Sequence, residues 1–465
     1  MKRISILMLG ALVLLQTACR KIEADGPSNS IASGDNILEG QITSSRTLQS
    51  DKIYKLRGLV YVTNGAVLTI EAGTKIVGEL GRNGGLIITR NSKIIAEGTA
   101  DQPIVFTSEA ATPSRGDWAG LIILGNAPTN ASYNGQVGIG EIEGGINNGD
   151  NLGLFGNGAA SNPADNSGVL RFVRIEYAGY AFLPDKEING LTLGGVGNNT
   201  VIDHVQVSFA NDDSFEWFGG TVNCKYLIAY KGLDDDFDSD NGYAGKVQFA
   251  IGMRDSSIAD ISGSNGFESD NDAGGSTNSP QTSAIFSNVT LVGPRATLTN
   301  VGNSNFRRGA HLRRNCGLSL CNSVIMGWPT GWLLDASTGT PTDLNLTGTS
   351  PKAIYANNIL AGNKVQLAYT ASSATPTGWT LADYVTYMNR ADGGNTLLTN
   401  CSDAGLGDAF QYNMLVDFNP VAGSPALTGA SFTNVKLATW FTPTTYRGAC
   451  AEGDNWWKGW SRFGN

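Results

Sequence analysis

Four segments of this chain repeat one pattern of residues that can do chemistry. They are Asp212-Asp213-Ser214-Phe215-Glu216, Asp234-Asp235-Asp236-Phe237-Asp238, Ser264-Asn265-Gly266-Phe267-Glu268 and Arg307-Arg308-Gly309-Ala310-His311. Aligning them on Phe215, Phe237, Phe267 and Ala310 places these four inward. Glu216, Asp238, Glu268 and His311 then form one outward column, and Phe218, Asp240, Asp270 and Arg313 a second. Neighbouring strands would bring such side chains to about 5 Å. Carboxylates that close cannot all stay ionised unless a cation shares them. Calcium suits them, because it takes six to eight oxygens in irregular geometry. The expected ligands are Asp234, Asp236, Asp238, Asp240, Glu216, Glu268 and Asp270.

The segment Asp236-Phe237-Asp238-Ser239-Asp240-Asn241-Gly242 supports that reading with oxygen donors at alternate positions before a Gly. It is not an EF-hand: the Gly comes one residue late and no closing Glu follows. The plainer alternative is a solvated rim of Asx turns. A third reading is catalytic, with Asp213, Glu216, Asp235, Asp238, His311 and Arg313 as the working residues. Carboxyls on adjacent strands, about 5 Å apart, suit retention of configuration in glycoside cleavage; two strands apart, about 9.6 Å, they suit inversion.

These residues need a frame that stacks equivalent positions. A short apolar strand precedes each motif: His204 to Phe209, Lys225 to Tyr230, Lys246 to Gly252 and Phe286 to Gly293. Leu320 to Gly327 and Tyr355 to Gly362 continue the series. Strand-plus-turn units at intervals of about twenty to forty residues are the mark of a solenoid. Sixty Gly and 16% charged residues suit turn-rich β-structure rather than a helical bundle. The expected fold is all-β, a right-handed parallel β-helix over 37–362. Leu68-Thr69-Ile70 and Leu86-Ile87-Ile88 stand 18 residues apart, which reads as the spacing of short coils. Asn126 to Asp165 reads as a loop thrown out of the solenoid. Asn288, Asn322 and Asn357 share a column with His204, as an Asn ladder at a bend would; His204 itself reads as a satisfied core residue. A helix-containing excursion is expected over 363–399, with Thr380 and Asp383 as a capping pair before Leu381. Residues 400–465 should supply C-terminal strands and an aromatic cap over the last coil, built from Trp456, Trp457 and Trp460.

The N-terminus reads as a secretory signal over 1–18: Lys2-Arg3, an apolar run from Ile4 to Leu15, then Gln16-Thr17-Ala18-Cys19. The last four residues resemble a bacterial lipobox, with Gln16 as a departure, which implies lipidation of Cys19 and a flexible tether over 19–36. Without residues 1–18 the 32 basic residues fall to 30 against 41 acidic, a net charge of −11. Such a surface repels nucleic acid. Of the remaining cysteines, Cys401 with Cys450 is the candidate disulfide, and Cys316 with Cys321 a second.

The layout of the acidic column is similar to that of pectin-degrading β-helix hydrolases. Their Asn-x-Asp, Asp-Asp, Gly-His-Gly and Arg-x-Lys segments compare with Asn211-Asp212-Asp213, Asp234-Asp235, Gly309-Ala310-His311 and Arg313-Arg314-Asn315. The second Gly and the Lys are missing. Leu191 to Gly197, Asp213 to Gly220, Gly232 to Asp238, Asp260 to Asp272 and Asn322 to Gly331 together resemble a family of secreted or lipid-anchored β-helix proteins of Bacteroidota. That resemblance implies a parallel β-helix at the cell surface or in the outer membrane; the lipobox makes a lipid anchor the only expected membrane contact, and the expected partner is a glycan or an outer-membrane protein complex. The expectation is a calcium-stabilised, non-catalytic scaffold; the alternative is a calcium-dependent polysaccharide lyase or glycoside hydrolase.

Overall fold

The computed structural model describes residues 36–464, apart from 148, 183–187 and 301. The expected signal, Cys19 and nearly all of the tether lie outside the described residues. Twenty-six strands join one continuous, almost wholly parallel sheet that winds into a β-helix with three faces. One face stacks Gly85–Ile88, Gly120–Leu124, Leu191–Gly194, Phe215–Phe218, Phe237–Asp240, Phe267–Ser269, Arg308–Leu312, Thr330–Asp335 and Val365–Thr370. The other two share single long strands in the middle coils: Val201–Ser208, Asn223–Tyr230, Lys246–Met253 and Ile285–Val292.

Each long strand turns a corner at one left-handed residue. His204, Tyr226, Phe249 and Asn288 have φ of 54°, 58°, 62° and 57°, and Phe172, Asn322 and Asn357 continue the column. Asn tolerates this conformation because its short amide bonds locally; aromatic residues need compensation. Stacking provides it. The His204 ring lies 4.4 Å from Phe172 and 4.3 Å from Tyr226, and Tyr226 lies 5.0 Å from Phe249. The expected column is present, but its side chains point outward, so His204 is not in the solenoid interior.

The interior is apolar along the stacked column. Phe215, Phe237, Phe267 and Ala310 are all buried, with ring spacings of 5.7 and 5.4 Å along the column. The early coils are longer than expected. Val60 pairs with Leu86 and Leu68 with Ile94, a repeat of 26 residues. The 18-residue spacing matched strands on different faces, because one coil contains three apolar strands of similar composition.

The segment between Gly120–Leu124 and Gly168–Glu176 is an insertion, as expected, with two small antiparallel hairpins. Its Ile142, Ile146 and Phe155 cover the outward side chains Tyr61, Ile87, Ile122 and Phe218. Residues 363–399 are less separate than expected. Val365–Thr370 and Thr396–Leu398 are strands of the last coil, and only the capped helix Leu381–Met388 departs from it.

Residues 400–465 differ most from expectation. Among the described residues they contain short 3-10 turns and one isolated bridge, Leu406 to Pro420, but no strand. They do not cap the last coil. They run back along the flank as a strap over Ile228, Tyr230, Ile251, Met253, Val292 and Val324. Side-chain amides of the solenoid bond its backbone in both directions. Gln206 donates to Arg462 O at 2.7 Å and accepts from its N–H at 2.8 Å. Gln248 does the same with Thr442, at 2.7 and 2.8 Å, and Asn322 with Ser431, at 3.2 and 2.9 Å. Trp456 and Trp460 meet the His204 ring edge-on. All five described cysteines are buried free thiols, so neither candidate disulfide forms. Cys401 packs against the Arg295 carbonyl instead.

Candidate functional site

The strand register brings the four motifs together as a grid of outward side chains. Glu216, Asp238, Glu268 and His311 are direct neighbours down one column. Three residues ahead in each motif stand Asp213, Asp235, Asn265 and Arg308; two residues behind stand Phe218, Asp240, Asp270 and Arg313. Read by coil, two acidic rows (Asp213, Glu216; Asp235, Asp238, Asp240) lead to a third (Asn265, Glu268, Asp270). The next row is wholly basic: Arg308, His311 and Arg313.

A ladder of hydrogen bonds fixes the first column. Asn189 Oδ1 accepts from the Asp213 N–H at 3.2 Å, and Asp213 Oδ1 from the Asp235 N–H at 2.7 Å. Asp235 Oδ1 accepts from the Asn265 N–H in turn. These carboxylates are therefore structural as well as chemical. Asn189 also donates its amide to Glu216. Its slot two residues before Leu191 repeats that of Asp213 before Phe215, so carrying the column one coil back would have found it.

The basic row neutralises only its neighbour. Arg313 is bidentate to Asp270, at 2.8 and 3.0 Å, and contacts Glu268; Arg314 reaches Asp270 at 2.7 Å. His311 sits between Glu268 and Asp335, 3.3 Å from each. Asp335 was not foreseen, although it is the next residue down the third column. Burial pushes the Glu268 carboxyl up, but the His311 hydrogen bond and the Arg313 charge outweigh it and leave it lowered. Asp335 is held at about 2, burial being outweighed by His311 and Ser337.

In the other acidic rows burial and like charge outweigh the help that Arg254 gives Asp234 and Asp235 and that Arg314 gives Asp240. Burial, and then neighbouring carboxylates, raise Asp213, Glu216, Asp235 and Asp238 well above the ordinary range. Asp234 is raised to about 6 and Asp240 to about 8, again by burial first. Oxygens of Asp212, Asp213 and Asp234 converge within 4.8 Å of one another; so do those of Asp213, Glu216 and Asp238, and of Asp235, Asp238 and Glu268. Asp234 Oδ1 and Asp238 Oδ1 are buried without a hydrogen-bond partner. Packed acids with orphaned oxygens fit a divalent cation, which supplies the missing positive charge.

Of the expected ligands, Asp234, Asp238, Glu216 and Glu268 meet in these groups. Asp213 and Asp235, expected as catalytic residues, join them, and Asp212 is an addition. Asp240 and Asp270 lie to one side, with Asp240 bonded to Asn241 and Asp270 taken by the two arginines. Asp236 departs from expectation. It is fully buried, turned into the core, and paired with Arg254 at 2.8 Å. Glu143 of the insertion lies close enough to Glu216 to add to its raised pKa. Nothing in the sequence of the insertion marks that approach.

No curated protein and no solved structure matches the chain. A family model described as a pectate-lyase-like β-helix domain matches residues 40–399, from the first coil to the end of the last strand. The chain thus belongs to the pectate-lyase-like β-helix family.

Proposed function

We propose that the protein is a calcium-stabilised β-helix scaffold of the cell envelope, anchored by lipid at Cys19, whose acidic face binds a glycan or an outer-membrane protein partner. The observation that carries the calcium reading is the convergence of three carboxylate groups within 4.8 Å, with orphaned oxygens on Asp234 and Asp238. A cation shared between coils removes the repulsion and ties adjacent coils together. The lipid anchor and the surface location rest on the sequence around Cys19.

Family membership favours a second reading, in which the same face cleaves a polysaccharide. The carboxylates and the basic row of Arg308, His311 and Arg313 then supply acid, base and anion contacts. Incubating the soluble chain from Arg20 with acidic and neutral polysaccharides, with calcium and with chelator, separates the two. New reducing ends or unsaturated sugars establish the enzyme. Silence beside a working control enzyme, with a melting temperature raised by calcium, establishes the scaffold. Glu216→Gln sharpens the test: a catalyst loses turnover and keeps its melting point, whereas a staple loses its calcium-dependent rise in melting temperature.

A further inference from the structure

We infer that Asn265 is a cation ligand of the group formed by Asp235, Asp238 and Glu268, and that its carboxamide turns over when the ion binds. This rests on the calcium reading above. Asn265 is 1% exposed, and its Oδ1 has no hydrogen-bond partner. Its Nδ2 lies 3.1 Å from Glu268 Oε2, 3.4 Å from Asp235 Oδ2 and 3.3 Å from the Gly263 carbonyl. Two members of the carboxylate group and a backbone oxygen thus surround one end of this amide.

Those spacings have a second meaning. Oxygens bound to one calcium at about 2.4 Å, at angles near 80–90°, stand roughly 3.1 to 3.4 Å apart. The Nδ2 position is therefore where another oxygen of the same coordination shell would sit. An amide presents N–H or oxygen in the same place after a half turn about its last bond. Without a cation the NH2 end damps the repulsion between Asp235 and Glu268. With one, the oxygen end completes the set beside Asp238, whose Oδ1 is also unpartnered. The backbone N–H of Asn265 keeps its bond to Asp235 in either state, so the strand ladder does not depend on the side chain.

The test is calcium titration by calorimetry, with melting curves with and without calcium, on the wild type, Asn265→Ala and Asn265→Asp. Losing a neutral ligand is expected to weaken calcium binding at least about tenfold in Asn265→Ala, and adding a charge to tighten it in Asn265→Asp. Asn265→Asp should melt below the wild type without calcium and gain more on its addition. Unchanged affinity in both variants overturns the inference and leaves Asn265 as a structural residue, while the calcium reading stands. A wild-type chain that takes up no calcium overturns both.

Discussion

The acidic face and the strapped flank stack like groups on like, coil after coil, with opposite results. On the flank the stacked groups are aromatic rings and amides. Rings attract one another face to face and edge to face, and each amide offers both a donor and an acceptor. The chain supplies partners for them from its own C-terminal strap. On the acidic face the stacked groups are carboxylates, which accept but do not donate and which repel when ionised. There the ion-paired cations Arg313, Arg314 and His311 stand at one end. The amides Gln206, Gln248 and Asn322 of the flank find both of their partners within the polypeptide. The acidic face keeps buried oxygens of Asp234 and Asp238 without a hydrogen-bond partner, where the proposed calcium would act.

The largest expected effect tests the flank. Trp457 belongs to the strap; it is 1% exposed, on the side turned to the solenoid, and edge-on to Phe418. Trp457→Ala should cost about 3–5 kcal/mol by urea unfolding, with calcium affinity unchanged. A change in calcium affinity would show that the two regions are coupled.

Asp238→Asn tests the other side. Removing one charge from two overlapping groups relieves repulsion, so the metal-free protein should melt higher than the wild type. Calcium should then add little. In the wild type, calcium at a hundred times its Kd adds about 2.7 kcal/mol. Melting curves with and without chelator would show whether the two effects have opposite signs.

The pH dependence follows from the same carboxylates. Asp213, Glu216, Asp235 and Asp238 are raised, Asp240 to about 8, while the unfolded chain titrates near pH 4. Between those limits the folded state holds protons that the unfolded state has released. Stability without metal should therefore fall as pH rises from about 4 to 8. Asp335 acts in the opposite sense, but only below about pH 4. Calcium should flatten the profile, and calorimetric scans of metal-free and calcium-loaded protein check it. A metal-free profile that rises across this window would mean that the acids are already paired.

The smallest effect concerns the corner residues. His204→Phe keeps the stack between Phe172 and Tyr226 and loses only the contact with Asp203. It should change unfolding stability by less than about 1 kcal/mol.

The contrast between the regions also explains what could be read from the sequence. The acidic columns were readable because the motif has one residue type inward and another outward, and strand alternation turns that into geometry. Glu216, Asp238, Glu268 and His311 therefore align in the structure as the alignment places them. Asp236 is not legible, because its partner Arg254 comes just after the next strand, Lys246–Met253, and shares no motif with it. The position of the strap is hidden for a related reason. Its composition announces burial, but burial alone does not say against what, and its contacts with Gln206 and Gln248 span 256 and 194 residues. The 18-residue spacing misleads because three similar strands per coil offer several false periods beside the true one of 26 residues.

The two-way amide bonds under the strap have a consequence for how such a chain changes over time. Solenoids ordinarily lengthen or shorten by whole coils, since each touches only its neighbours. Here one continuous segment is pinned at Asn322, at Gln248 and again at Gln206. Inserting or deleting a coil between these pins would put every later pair out of step by about 4.8 Å. The strap acts as a gauge against which coil number is checked. Lengthening should be confined to coils outside its reach, before Phe172, and variation elsewhere to the loops that leave the coils.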